Sequence, residues 1–100
     1  MSEGVMSEAR ASVPTQSGGK YVQQLCKHWA HKLPVQLEGD TGVVTFGASV
    51  ATMNAGPEAI EVSIRGEDRE AIESLKDVVA RHLDRFAFRE APLPFDWAWA

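Results

Sequence analysis

Residues 35–66 read VQLEGDTGVVTFGASVATMNAGPEAIEVSIRG, and this stretch decides the fold. Apolar and polar residues alternate in it, as is typical of strands that bury one face. The alternating segments are Val35–Glu38, Val43–Phe46, a weaker Ser49–Met53, and Ile60–Arg65. Turn residues separate them at Gly39–Gly42, Gly47 and Asn54–Pro57. The stretch therefore predicts four antiparallel strands in a meander.

Helical periodicity flanks the meander on both sides. Ser17 is placed to cap the first helix, which we expect to run to about Leu33, where Pro34 stops it. The second helix follows the acidic pair Glu67–Asp68 and extends to about Phe88. Their apolar stripes consist of Val22, Leu25, Cys26, Trp29 and Leu33 in the first helix, and Ala71, Ile72, Leu75, Val78, Val79, Leu83 and Phe86 in the second.

The two ends of the chain differ in character. Met1–Glu8 is small and polar without periodicity, so we expect a mobile tail outside a single domain of residues 9–100. Ala9–Val13 alternates and predicts a first strand that ends at Pro14. The aromatic segment Ala91–Ala100 predicts irregular chain packed back on the domain. In it we expect Trp97 to be the better anchor, because Trp99 lies at a fraying end.

These elements occur in the order β-α-β-β-β-β-α. Neither helix can bury its stripe except against a sheet, so the fold class is α+β, a two-layer sandwich. One antiparallel sheet carries both helices on one face. The order is similar to one half of a TATA-binding-protein-like fold, an analogy that carries no functional weight.

Composition restricts the classes of function. A chain of 100 residues with 44% hydrophobic residues forms one core. The net charge of −4 excludes a general nucleic-acid binder. The sequence has neither an apolar stretch long enough for a bilayer nor a signal pattern, so we expect no membrane and a cytoplasmic protein. The lone Cys26 agrees with a reducing compartment.

Positive charge is concentrated on the first helix. No acidic residue lies between Glu8 and Glu38, whereas four basic residues and two histidines do: Arg10, Lys20, Lys27, Lys32, His28 and His31. The outer surface of this helix is therefore suited to an anionic ligand or an acidic partner. The alternative is an ordinary solvated face.

The second helix carries a similar edge. His82 lies inside its apolar arc, and Arg85 and Arg89 follow along the same side. Arginine forks match carboxylate or phosphate oxygens, so these residues form a candidate anion-recognition edge. The alternative is a core histidine with one hydrogen bond, and arginines paired to Asp84, Glu90 or the C-terminal segment.

Two chemical hypotheses concern Cys26–Lys32. His28 and His31 are three residues apart and can chelate one metal ion, but Cys26 points elsewhere on the helix. A third ligand has to come from another element, and His82 is the remaining histidine. A metal-binding or enzymatic site of His28, His31 and His82 is thus one alternative. The Cys26 thiol faces the core, which disfavours a nucleophile.

Known catalytic motifs do not match. Ser17–Lys20 resembles part of a phosphate-binding loop, but Pro14 and Tyr21 stand where a Walker loop needs glycine and a hydroxyl residue. We assign no catalytic residue and expect no cofactor, while the question of an enzymatic activity stays open.

Two longer runs carry a family resemblance. Tyr21–Lys32 and His82–Glu90 resemble the "YLxQLCKHFAHK" helix and the terminal "HLxRFAFRE" run of the bacterial domain of unknown function 2218 family. The "AxVPT" strand matches at Ala11–Thr15. Val22 for leucine and Trp29 for phenylalanine are conservative departures.

The resemblance covers about Ala9 to Trp97 and implies a small bacterial cytoplasmic domain. In some proteins of this family the domain is joined to a siderophore-interacting flavin reductase domain, which implies a link to iron handling. The family assigns no catalytic residues. The candidate ligand-binding residues are Lys27, His28, His31, Lys32, His82, Arg85 and Arg89.

Three functions follow from these residues. The first is a non-enzymatic ligand-binding or accessory module that receives an anionic or siderophore-type compound. The second is the three-histidine metal or enzymatic site. The third is a protein-interaction module whose partner is a reductase or a second copy of the chain.

Overall fold

The computed structural model describes residues 6–100. Its elements are β1 (Ser7–Pro14), α1 (Gly18–Trp29), β2 (Val35–Glu38), β3 (Thr41–Phe46), β4 (Ser49–Ala55), β5 (Ala59–Gly66), α2 (Arg69–Phe86) and β6 (Ala98–Trp99). The predicted α+β order is confirmed, and one short strand is added at its C-terminal end. In the described part of the chain, neither helix is long and apolar enough to span a bilayer.

The strands form one antiparallel sheet in the order β2-β3-β4-β5-β1-β6. The predicted meander occupies β2 to β5, and β1 adds to its free side. Ala9 lies opposite Ile64 and Val13 opposite Ile60, so the apolar residues of neighbouring strands share one face.

Both helices cover this apolar face. α1 packs over β2, β3 and β4, whereas α2 packs over β5 and β1. Leu25 of α1 and Leu83 of α2 are fully buried. Burial of such a side chain contributes about 1.5–3 kcal/mol, which explains why both amphipathic stripes face the sheet. The other face of the sheet carries polar and half-buried side chains such as Thr52 and Ser63.

The first strand starts earlier than predicted. Ser7 pairs with Gly66 and Glu8 with Arg65, so these two residues belong to the sheet and their assignment to a mobile tail is wrong. A hydrogen bond from the Arg10 guanidinium at 2.7 Å lowers the pKa of the Glu8 carboxyl. The rest of the predicted tail, residues 1–5, lies outside the described residues.

Both helices end before their predicted positions. α1 ends at Trp29, and the Leu33 amide donates to the Trp29 carbonyl at 2.8 Å in the turn that follows. Pro34 disfavours helical backbone at the residue before it, so the chain leaves the helix early. α2 ends at Phe86, where the Ala87 amide donates to Leu83.

The helix starts are capped differently. The Asp68 side chain caps α2 by accepting from the Glu70 and Ala71 amides. The Ser17 side chain makes no such bond, so the predicted cap of α1 is wrong in its chemistry. The Ser17 amide instead donates to Thr15 Oγ1 at 3.1 Å.

The C-terminal segment packs against the core, as predicted. It also forms β6, in which Trp99 pairs with Ala9 while the Ala100 amide donates to Glu8 at 2.7 Å. The prediction that Trp99 lies at a fraying end is therefore wrong, and Trp97 and Trp99 are both half-buried. Pairing with β1 holds Trp99 in place. A strand of only two residues has no periodic pattern, so the sequence does not reveal it.

Candidate functional site: the basic two-helix edge

α1 and α2 lie side by side and bring residues of both sequence runs together. Trp29 at the end of α1 meets His82 of α2 with ring centroids 5.1 Å apart. Tyr21 near the start of α1 meets Glu90, which lies just beyond α2. The helices therefore run antiparallel. We call the line of contact between them, from Tyr21 and Glu90 to Trp29 and His82, the seam.

Aromatic rings fill the seam beside the C-terminal end of α1. The His28 ring lies 6.1 Å from His82 and 5.9 Å from Phe86, measured between centroids. Trp29 also packs edge-on against Phe46 of the sheet, at 5.1 Å. The sheet thus supports the seam from below, and two histidines that are distant in sequence become neighbours.

His82 is held in one orientation. Its Nδ1 lies 2.7 Å from the Val78 carbonyl oxygen. A carbonyl only accepts, so Nδ1 carries the proton and Nε2 is the acceptor of the neutral ring. The half-buried ring thus has the single hydrogen bond of the structural alternative, and still borders the exposed His28.

The basic side chains around the seam are mostly exposed and form no ion pair within residues 6–100. We call the seven predicted site residues the basic edge; they are Lys27, His28, His31, Lys32, His82, Arg85 and Arg89. All except the half-buried His82 are exposed. Within residues 6–100, the ion pairs involve Arg10, Arg65, Lys76 and Arg81, and none includes a basic-edge residue.

The predicted arginine partners are occupied elsewhere. Asp84 accepts from the Leu93 amide at 3.0 Å, and Glu90 accepts from Tyr21 and Thr15. Neither Arg85 nor Arg89 forms an ion pair with a carboxylate of residues 6–100, so the alternative in which they pair with Asp84 or Glu90 is wrong. His31 and Lys32 lie in the turn after α1 rather than on the helix, because the helix ends at Trp29.

The three-histidine metal hypothesis finds no support in this geometry. The structure brings His28 and His82 together, but no three His, Cys, Asp or Glu side chains in residues 6–100 are arranged to hold a metal ion. Cys26 is buried on the sheet side, and burial raises the pKa of its thiol. A Cβ at Gly42 would overlap its sulfur, so Gly42 provides the space for this side chain.

The sequence did not reveal a polar clamp at the other end of the seam. Tyr21 OH and Thr15 Oγ1 both donate to Glu90 Oε2, at 2.5 Å and 3.0 Å. The hydrogen bond to Glu90 raises the pKa of Tyr21. The clamp of Thr15, Tyr21 and Glu90 ties the β1–α1 junction to the turn after α2. Each of these three residues lies in one of the three runs that carry the family resemblance. That shared membership is the signal in the sequence that connects them.

The basic edge is largely exposed to solvent. Five depressions on the surface of residues 6–100 have volumes of about 240–640 Å³, and none of these five is lined by a basic-edge residue. The largest of the five is lined by Pro14, Thr15, Gln16, Ser17, Glu58 and Glu90. An open cationic surface is suited to contact with acidic groups rather than to enclosing a small substrate.

Fold and surface together define a small two-layer α+β domain with a basic edge. The chain belongs to the family described as "Uncharacterized protein conserved in bacteria (DUF2218)", whose model matches residues 10–98. The predicted family is thereby confirmed.

A solved structure supports the same fold. The chain is similar to the protein described as "NMR structure of PA4090 from Pseudomonas aeruginosa", with 33% sequence identity and a TM-score of 0.75. The match covers 93% of this chain and 94% of that chain. No curated protein matches.

Proposed function

We propose that this domain is a non-enzymatic binding module whose basic edge receives an acidic segment of a partner protein. The observation that carries the proposal is the set of exposed basic residues on α1, α2 and the turns after them, none of which has a carboxylate oxygen of residues 6–100 within 4.0 Å. Rigid packing of α1 on α2 fixes their spacing, as specific recognition requires.

An extended acidic segment fits this edge better than an enclosed small anion. His82 and Arg85 lie on α2, whereas Arg89 lies in the turn after it, so the basic edge extends past the end of the helix. An extended chain can follow such a row of residues, because it advances about 3.3 Å per residue. The exposure of six of the seven basic-edge residues favours a ligand that lies along the surface.

The link to siderophores rests only on the family resemblance. A siderophore-related reductase with an acidic surface is one protein partner of the proposed chemistry. A siderophore-type small anion is the competing ligand, and the experiment below separates the two.

The test uses a synthetic glutamate-rich peptide and a control peptide with glutamine at each glutamate. We expect the glutamate peptide alone to bind, and Arg85→Ala with Arg89→Ala to weaken its affinity about tenfold or more. Arg81→Ala is the matched control, because Arg81 lies on α2 but pairs with Asp77 at 2.7 Å. It should leave the affinity within about twofold.

Three results would overturn the proposal. One is a double variant that binds as tightly as the unmodified chain, and another is equal binding of both peptides. The third is inorganic phosphate or citrate that binds at the same residues more tightly than the peptide, which would make the small anion the ligand. Titration calorimetry at two salt concentrations measures all of these.

A further inference from the structure

We infer that Phe88 is the apolar anchor of this interface, and that the acidic segment carries apolar side chains next to its carboxylates. The inference rests on the proposed function and specifies its partner. It concerns the turn Ala87–Glu90, which follows α2 and carries Arg89 of the basic edge.

Phe88 is the most exposed large hydrophobic residue of the described chain, with 71% of its surface accessible. Single exposed apolar residues are common, so exposure alone does not mark a contact. Met6 is also exposed, at 50%, and provides a comparison. What distinguishes Phe88 is the support of the backbone that carries it.

Backbone hydrogen bonds fix the turn. The Ala87 amide donates to Leu83 at 2.9 Å, and the Glu90 and Ala91 amides both donate to Ala87, at 2.8 and 2.9 Å. The side chain of Ala87 is completely buried. The turn is therefore attached to the core on one side of Phe88.

The clamp fixes the turn on the other side. Glu90 accepts from Tyr21 and Thr15, which are each only 6% exposed. Phe88 thus projects from a segment held at both ends. A side chain presented in this way loses little backbone freedom on binding, which is a property of interface anchors.

The neighbouring charge defines the partner. The Arg89 guanidinium carbon lies 5.8 Å from the centroid of the Phe88 ring, and Arg85 lies in the last turn of α2. An apolar side chain packed on Phe88 therefore places an adjacent carboxylate near Arg89. The matching segment alternates acidic and apolar residues.

The experiment compares two peptides of equal negative charge, one with glycine and serine between the glutamates and one with leucine. Phe88→Ser should weaken the leucine peptide about tenfold and leave the glycine–serine peptide unchanged. Met6→Ser is the matched control and should change neither affinity. Phe88 is exposed, so the variant should keep its melting temperature.

The outcomes separate this inference from the proposed function. If Phe88→Ser leaves both affinities unchanged while Arg85→Ala with Arg89→Ala lowers them, the anchor is wrong and the acidic docking edge stands. If the arginine substitutions have no effect on either peptide, the proposed function fails first.

A second variant tests the clamp as a positioning device. Tyr21→Phe removes one of the two donors to Glu90. We expect faster hydrogen exchange at the Phe88 and Arg89 amides, and an affinity for the leucine peptide that is several-fold weaker. Unchanged exchange with unchanged affinity would show that the clamp does not hold the anchor.

Discussion

Basic and aromatic side chains lie on both flanks of α2, but their contacts differ between the two flanks. On the flank that faces the C-terminal segment, the Arg69 guanidinium carbon and Lys76 Nζ lie 4.1 and 4.4 Å from the centroid of the Trp99 ring. Lys76 also pairs with Glu73 at 2.9 Å. On the flank that faces α1, histidines and Phe86 meet beside Arg85, which has no acidic neighbour within 4.0 Å in residues 6–100.

The difference lies in what the cations contact. The Lys76 side chain is only 14% exposed, and its Nζ lies over the Trp99 ring. Its charge is neutralised within the molecule and holds β6 in place. The basic-edge residues have no carboxylate oxygen within 4.0 Å in residues 6–100, and the Phe88 ring beside Arg89 is itself exposed, so these side chains are available to a partner. A basic face therefore becomes informative once the internal partners of each cation are known.

Removing the C-terminal segment should have the largest effect on the first flank. Deletion of residues 95–100 removes β6 and three half-buried aromatic side chains. We expect a loss of about 2 kcal/mol or more and a melting temperature lower by roughly 8–16 °C. Calorimetry measures it. An unchanged midpoint, with water-like tryptophan emission in the intact chain, would show that the segment is loose.

The cation–aromatic contacts should differ in strength between the flanks. A double-mutant cycle of Lys76→Ala and Trp99→Ala should give a coupling of about 1 kcal/mol, because this lysine is shielded from water. The same cycle on Arg89 and Phe88 should give less than about 0.5 kcal/mol, because both are exposed. Equal coupling energies would show that the two cation–aromatic contacts do not differ in strength.

The clamp predicts a small alkaline effect at the seam. The hydrogen bond to Glu90 raises the folded-state pKa of Tyr21 above its unfolded value of about 10. Its contribution to stability is therefore complete below pH of about 10 and is lost as the pH rises through the folded pKa. Denaturant titrations should show a steeper alkaline loss in the unmodified chain than in Tyr21→Phe. Parallel pH profiles would contradict the contribution.

The sequence predicted the elements with strong periodicity and missed those made by distant contacts. Residues 35–66 indicated the meander, because alternation extends over whole strands. β6 has only two residues and leaves no periodic signal. The clamp joins Tyr21 to Glu90 across 69 positions, a distance that no local pattern encodes.

The candidate site was partly predictable for the same reason. Helical spacing identified His28, His82 and Arg85 individually, since each lies on a definable face of its helix. Their meeting at one seam depends on how α1 and α2 pack on the sheet. The three-histidine hypothesis shows the limit of helical spacing, which does not place His31 once α1 ends at Trp29.

The central claim is tested most directly by a backbone NMR titration of the complete chain with the glutamate-rich peptide. We expect saturable shift changes at the basic-edge residues Lys27, His28, His82, Arg85 and Arg89, and none at Arg69 or Lys76. Changes concentrated at Arg69 and Lys76, or no saturable change at the basic edge at low salt, would contradict the claim.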